Sequence, residues 1–130
     1  MRSGTDIAIL GGMIKYIIDN NLYNKEYVTA YTNAPFIVGT DYSFEDGLFA
    51  GYDKQNKKYD KKKWAFEMDA TGVPKMHRSL EHPRSVFQIL KKHFSRYDVD
   101  LVSKISGCPK DALIEIYKTY GATGARSKVS

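Results

Sequence analysis

The stretch Arg2-Ser3-Gly4-Thr5-Asp6-Ile7-Ala8-Ile9-Leu10-Gly11-Gly12-Met13-Ile14 decides how this chain is read. A polar, glycine-bearing turn runs into a capping hydroxyl and a carboxylate. A helix that is apolar on nearly every side follows. Such helices belong inside large proteins, packed on more than one face. Their N-termini carry unsatisfied N–H groups and display polar atoms to a ligand. The spacing predicts a helix from about Thr5 to Asn20, capped by Ser3 or Thr5, with Asp6 at the positive end of the dipole. Gly11 and Gly12 inside it cost roughly 1 kcal/mol each relative to Ala. Close approach of a neighbouring backbone is the expected compensation.

Beyond this helix, Asn24 caps a second one from Lys25 to about Tyr31, which Thr32-Asn33-Ala34-Pro35 breaks. Phe36-Ile37-Val38 is a short apolar run of strand character. Gly39 to Lys63 reads as a loop carrying Tyr42, Phe44, Phe49, Tyr52 and Tyr59. So many aromatics in a long loop predict an ordered segment lying over another surface, with a lysine tip in water. From Lys63 to Asp69 the pattern alternates: Trp64, Phe66 and Met68 face one way, Ala65, Glu67 and Asp69 the other. Ala70-Thr71-Gly72 turns the chain, and Val73 to Arg78 returns, with Pro74 placing that strand at an edge. Pro83 opens a helix with Val86, Phe87, Leu90 and Phe94 on one face. Asp98 and Gly107 bound a short helix. Pro109 begins the last one, whose stripe is Ala112, Leu113, Ile116, Tyr117 and Tyr120, with Gly121 as its stop. The expected organisation is a helical segment over 1–38, a loop and β-hairpin insertion over 39–82, a second helical segment over 83–121 and a flexible tail over 122–130.

Composition narrows the function classes. A chain of 130 residues with 42% apolar residues holds one domain's worth of core. No apolar run reaches the ~18 residues that span a bilayer, and no signal-peptide pattern opens the chain. A single cysteine excludes an internal disulfide, a Cys-rich zinc site and a Cys-ligated iron–sulfur cluster built by this chain alone. Asp53 to Lys63 holds six Lys and two Asp, so this one stretch carries +4 of the net +5. The basic character belongs to one loop and not to a basic face. A solvated, mobile lysine-rich loop is expected there, and nucleic-acid binding is not.

The search for chemistry yields little outside the opening turn. His77, His82 and His93 show no metal-ligand spacing. Cys108 before Pro109 reads as a buried residue at a helix start, and His82-Pro83-Arg84 as a helix entry. No phosphate-cradling loop, dinucleotide fingerprint or nucleophile elbow is present. At the opening turn, Gly4 lets backbone approach a ligand, Thr5 offers a hydroxyl and an N–H, and Asp6 offers two acceptor oxygens. A carboxylate there suits an edge with two adjacent donors, such as the N1–H and 2-amino group of guanine. On pattern alone, a helix cap explains the same residues.

Several longer strings carry a resemblance. They are Arg2-Ser3-Gly4-Thr5-Asp6-Ile7-Ala8, Lys25 to Ala34, Phe44 to Asp53, Tyr59 to Trp64, His82-Pro83-Arg84-Ser85-Val86-Phe87 with Ser95-Arg96-Tyr97, and Ile105 to Ala112. Together they resemble the molybdopterin oxidoreductases, and within them the catalytic subunit of the formate dehydrogenase-N type, over about Arg2 to Tyr120. The resemblance implies an α/β domain fragment, mostly helical with a loop and hairpin insertion, packed against a parallel sheet of a larger subunit. It implies formate oxidation to carbon dioxide at molybdenum or tungsten held by two molybdopterin guanine dinucleotides. Gly4, Thr5 and Asp6 would contact one guanine dinucleotide, with Asp6 on the guanine edge. The family's 4Fe-4S ligands, metal ligand and catalytic histidine match no residue of this chain. The chain is therefore expected to be an internal slice, inactive alone, whose partners are the rest of the catalytic subunit and an iron–sulfur electron-transfer subunit. Export to the periplasm by a twin-arginine signal is a further implication. The competing expectation is a small non-enzymatic interaction protein that docks an acidic partner or nucleic acid through Lys54–Lys63.

Overall fold

In the computed structural model, which describes residues 1–45 and 47–125, the opening stretch forms helix α1, Asp6–Asp19. Thr5 stands at its cap position, but its hydroxyl caps no helical N–H. It donates instead to the Arg2 carbonyl at 2.7 Å, closing the turn on itself. Gly4 takes φ +76°, the left-handed conformation that makes this turn a glycine position.

Two compact units emerge: Met1–Ala30 with Leu90–Ser130, and Tyr31–Ile89. The first holds α1, most of α2 (Lys25–Tyr31), the end of α3 (Val86–Phe94), α4 (Val99–Ser106) and α5 (Lys110–Ala125). Its core is Val102, Leu113 and Tyr117, each no more than 2% exposed, with Ile9, Met13, Tyr16, Tyr97, Val99 and Cys108 packed around them. The close approach expected at the paired glycines is present, but side chains make it and not backbone. A Cβ on Gly11 would lie 2.8 Å from the Tyr97 ring, and one on Gly12 2.7 Å from Tyr117 Oη. Tyr117 Oη donates to the Ile9 carbonyl at 3.0 Å, so the glycines make room for a buried tyrosine that ties α5 to α1.

Cap chemistry sets most helix ends. The Asn24 carboxamide oxygen accepts from Tyr27 N–H, and the Asp98 carboxylate accepts from Leu101 N–H at 2.8 Å. Gly107 ends α4 at φ +73°. Two ends differ from expectation. Pro83 lies in a turn, and α3 begins three residues later, where Ser85 accepts from the Gln88 and Ile89 amides. Gly121 does not stop α5. It is buried against Leu22 and Ile17, where a larger residue would not fit, and the helix continues to Ala125. Of the tail expected from residue 122, residues 126–130 lie outside the described residues.

The second unit corrects the reading of 39–63 as loop. Two antiparallel hairpins form there: β1 (Phe44–Glu45) with β2 (Leu48–Phe49), and β3 (Tyr52–Asp53) with β4 (Lys58–Tyr59). Cross-strand aromatic pairs explain them. Phe44 faces Phe49 at 4.8 Å between ring centroids, and Tyr52 faces Tyr59 at 4.9 Å. A 3₁₀ turn, Lys61–Trp64, follows. The expected 63–78 hairpin appears as isolated bridges, with Met68 opposite Pro74. Phe36–Val38 is strand-like, and its residues bridge to Met76, Ser85 and Phe66 in turn. The described residues thus contain five α-helices and two small antiparallel hairpins.

One polar knot joins these segments. Glu67 accepts from Lys75 Nζ at 2.7 Å and from Arg84 Nη2 at 2.6 Å, while Arg84 Nη1 donates to the Val38 carbonyl. Hydrogen bonds from Lys75 first, then Arg84, hold the Glu67 carboxyl below its ordinary 4.5. A lowered folded value means stabilisation that is complete above pH 4.5 and lost as pH falls through the folded value. Glu67→Gln is therefore expected to flatten the acid limb of chemical-denaturation stability measured from neutral pH downward. Parallel acid limbs for variant and parent would refute the assignment.

Candidate functional site

The opening turn is built on the end of another helix. The Arg2 backbone N–H donates to the Ser106 carbonyl at 2.8 Å. Its guanidinium donates to the carbonyls of Lys104 at 2.8 Å and Ile105 at 3.1 Å. These carbonyls belong to the last turn of α4, which lacks helical partners for them and carries the negative end of the dipole. Arg2 thus fastens the turn, Gly4 bends it and Thr5 locks it. Nothing in the sequence pattern signals this clamp, because its partners lie more than a hundred residues away.

The result is a fixed, open shelf. Gly4 and Asp6 are exposed, and nothing lies within 4 Å of the position a Gly4 Cβ would take. Among the described residues, the Asp6 carboxylate makes no hydrogen bond or ion pair. It stands in the first turn of α1 with both oxygens free to accept. The residues that the sequence singled out stand together on this turn, where the Thr5 hydroxyl is used on the Arg2 carbonyl and the Asp6 carboxylate is the free acceptor. The shelf is not a pocket. A cleft of about 230 Å³ lies at the other end of α1, lined by Gly12, Lys15, Tyr16, Asp19, Asn20, Tyr97, Asp98, Val99 and Tyr117.

The other candidates resolve into structural roles. His82 Nδ1 accepts from Arg84 N–H at 3.1 Å, and Arg84 turns inward to Glu67, so this motif shapes a turn. His77 Nδ1 bonds Ser79 Oγ. Desolvation first, and then Arg96, push the His93 pKa down. Cys108 is half-buried, its N–H on Ser106 Oγ and its carbonyl accepting from Ser103 Oγ. No three His, Cys, Asp or Glu side chains converge among the described residues.

No protein-family model matches the chain. Individual proteins do. It is 56% identical over 128 residues to formate dehydrogenase subunit alpha of Megalodesulfovibrio gigas, across 98% of the chain and 13% of that protein. It is 48% identical over 130 residues to the formate dehydrogenase-O major subunit of Escherichia coli, across the whole chain and 13% of that protein. The chain is homologous to a segment of formate dehydrogenase major subunits. Formate dehydrogenase 2 subunit alpha (cytochrome c-553) of Nitratidesulfovibrio vulgaris is 48% identical over 128 residues, 13% of its length. The chain thus spans about 13% of the length of the formate dehydrogenase relatives it matches. These matches run through the Lys54–Lys63 loop, so a free-standing interaction module is not needed to explain the chain.

Proposed function

We propose that this chain forms part of the catalytic subunit of a molybdopterin-dependent formate dehydrogenase, where Gly4, Thr5 and Asp6 line one guanine dinucleotide site. The observation that carries the reading is the free Asp6 carboxylate on a turn that Arg2 and Thr5 hold open. Gly4 admits the ligand at close range. The first N–H groups of α1 favour a nearby phosphate. Asp6 accepts from the two adjacent guanine donors. The exposed face of α1 packs against a parallel sheet of the same subunit. When bound, the pterin cofactor's molybdenum or tungsten supplies the two-electron chemistry of formate oxidation, and this chain's residues only bind and orient its nucleotide end. An iron–sulfur centre, held by residues outside this chain, would supply the link to an electron-transfer partner subunit. The chain alone does not oxidise formate, and the assembled enzyme works in the periplasm.

Guanine recognition is testable on the chain itself. In ligand-observed NMR with guanosine diphosphate as probe, Asp6→Asn is expected to weaken binding tenfold or more. One acceptor becomes a donor that faces the guanine donors. Equal binding by variant and parent would remove Asp6 from the site.

A further inference from the structure

The lysine-rich stretch is a folded knob and not a loose loop. Lys54, Lys57 and Lys58 sit on the turn and strand of the β3–β4 hairpin, and Lys61, Lys62 and Lys63 on the 3₁₀ turn after it. All six are exposed. Among the described residues none of them joins an ion pair. The two carboxylates within 53–63 accept hydrogen bonds and keep their charge, which leaves the stretch at net +4. Asp53 accepts from Gln55 N–H at 2.8 Å and from Asn56 Nδ2 at 2.6 Å, and Asp60 accepts from Lys62 N–H. The bond from Asn56 leads the effects that hold the Asp53 carboxyl below its ordinary value.

Beneath the lysines lies an aromatic base. Trp64 packs on Phe49 and Tyr59, each 5.4 Å away between ring centroids, and its Nε1 donates to the Ala50 carbonyl. Phe49, against Tyr59 and Trp64, is 41% exposed, and Leu48 beside it on β2, opposite Glu45, is 42% exposed. Exposed ammonium groups, unpaired among the described residues, next to a small apolar centre offer charge complementarity to an acidic protein surface. They do not suit single-stranded nucleic acid as well. The aromatic rings tilt against one another instead of offering open stacking faces, and Lys61 Nζ lies over Trp64. No arginine is present in the knob, and the Asn56 amide is turned in on Asp53.

We propose that the knob formed by residues 52–64 is a docking surface for another protein, one that presents a cluster of carboxylates around a small apolar patch. Electrostatic attraction steers such an encounter and salt weakens it.

The test uses the full chain and a fluorescent twelve-residue oligoglutamate peptide as probe, read by anisotropy. Two variants of equal net charge are compared. One changes Lys54, Lys57, Lys58 and Lys62 to Gln; the other changes Lys25, Lys92, Lys104 and Lys118 to Gln. The expected result is a tenfold or greater loss of affinity for the first, and less than about twofold for the second. An oligothymidylate of equal charge is expected to bind no more tightly than the peptide. Equal losses in the two variants, absence of saturable binding at low salt, or tighter binding of the oligothymidylate would each overturn the proposal.

Discussion

Gly12→Ala destabilises the helical unit by about 1–3 kcal/mol, the cost of overpacking a filled core. The added methyl would lie 2.7 Å from Tyr117 Oη and 2.9 Å from Val102 Cγ2. Neither neighbour can step aside. Val102 is fully buried, and Tyr117 is 1% exposed with its hydroxyl held on the Ile9 carbonyl. Ala gains roughly 1 kcal/mol of helix propensity over Gly, so a site without neighbours would be stabilised by the same change. The sign of the effect therefore separates the two cases. Urea unfolding followed by circular dichroism is expected to show a lower midpoint with an unchanged slope. Tyr117→Phe in the Gly12→Ala background removes the crowding oxygen and is expected to recover part of the loss. A stabilised Gly12→Ala variant would show that α1 and α5 do not pack as described.

Purified alone, the chain is expected to self-associate through α1, and Ile7→Lys with Leu10→Lys is expected to return it to monomer. Ala8, Gly11 and Gly12 are buried along this helix. Ile7, at 76% exposure, and Leu10, at 54%, form an outer stripe in its first half. Ile14 continues that outer stripe. Covering one such side chain is worth about 1.5–3 kcal/mol, and a self-association covers several at once. Lysine at two of these positions places charge where an apolar contact forms. Sedimentation velocity across a concentration series reads the outcome. A parent chain that stays monomeric at every concentration would contradict this account of the outer face.

Much of this architecture was legible in the sequence, because local chemistry fixes it. Asn24, Asp98 and Gly107 bound helices through bonds to residues within three or four positions, and short-range pattern reading captures those. The two-sided apolar character of α1 was legible for the same reason. Its meaning is now specific: one face carries the Tyr97, Val102 and Tyr117 packing, and the other stays open. Pro83 misled because a local cap two residues on decides where the helix starts, and Gly121 because tertiary context outweighed propensity. Ser85 supplies the cap that a proline cannot, and Gly121 serves the approach of Leu22 instead of ending a helix. The 44–59 hairpins escaped because each strand has only two residues, too few for an alternating pattern to show. Their aromatic pairs became visible only once the register was known.

The candidate site was legible as residue types and not as a construction. Gly4, Thr5 and Asp6 announce a turn at a helix start. Nothing nearby announces that Arg2 anchors that turn on the carbonyls of α4, or that the Thr5 hydroxyl turns back to Arg2 and leaves the helix end open. The Glu67–Arg84–Lys75 knot was hidden in the same way, since its members come from three separate segments.

The most direct test of the central proposal is an amide-resolved NMR titration of the chain with guanosine diphosphate, set beside adenosine diphosphate at the same concentrations. The account predicts shifts concentrated at Gly4, Thr5 and Asp6 for the guanine nucleotide, and far smaller ones at the same amides for adenine. Identical responses to the two nucleotides, or shifts confined to the cleft around Lys15 and Tyr97, would contradict it.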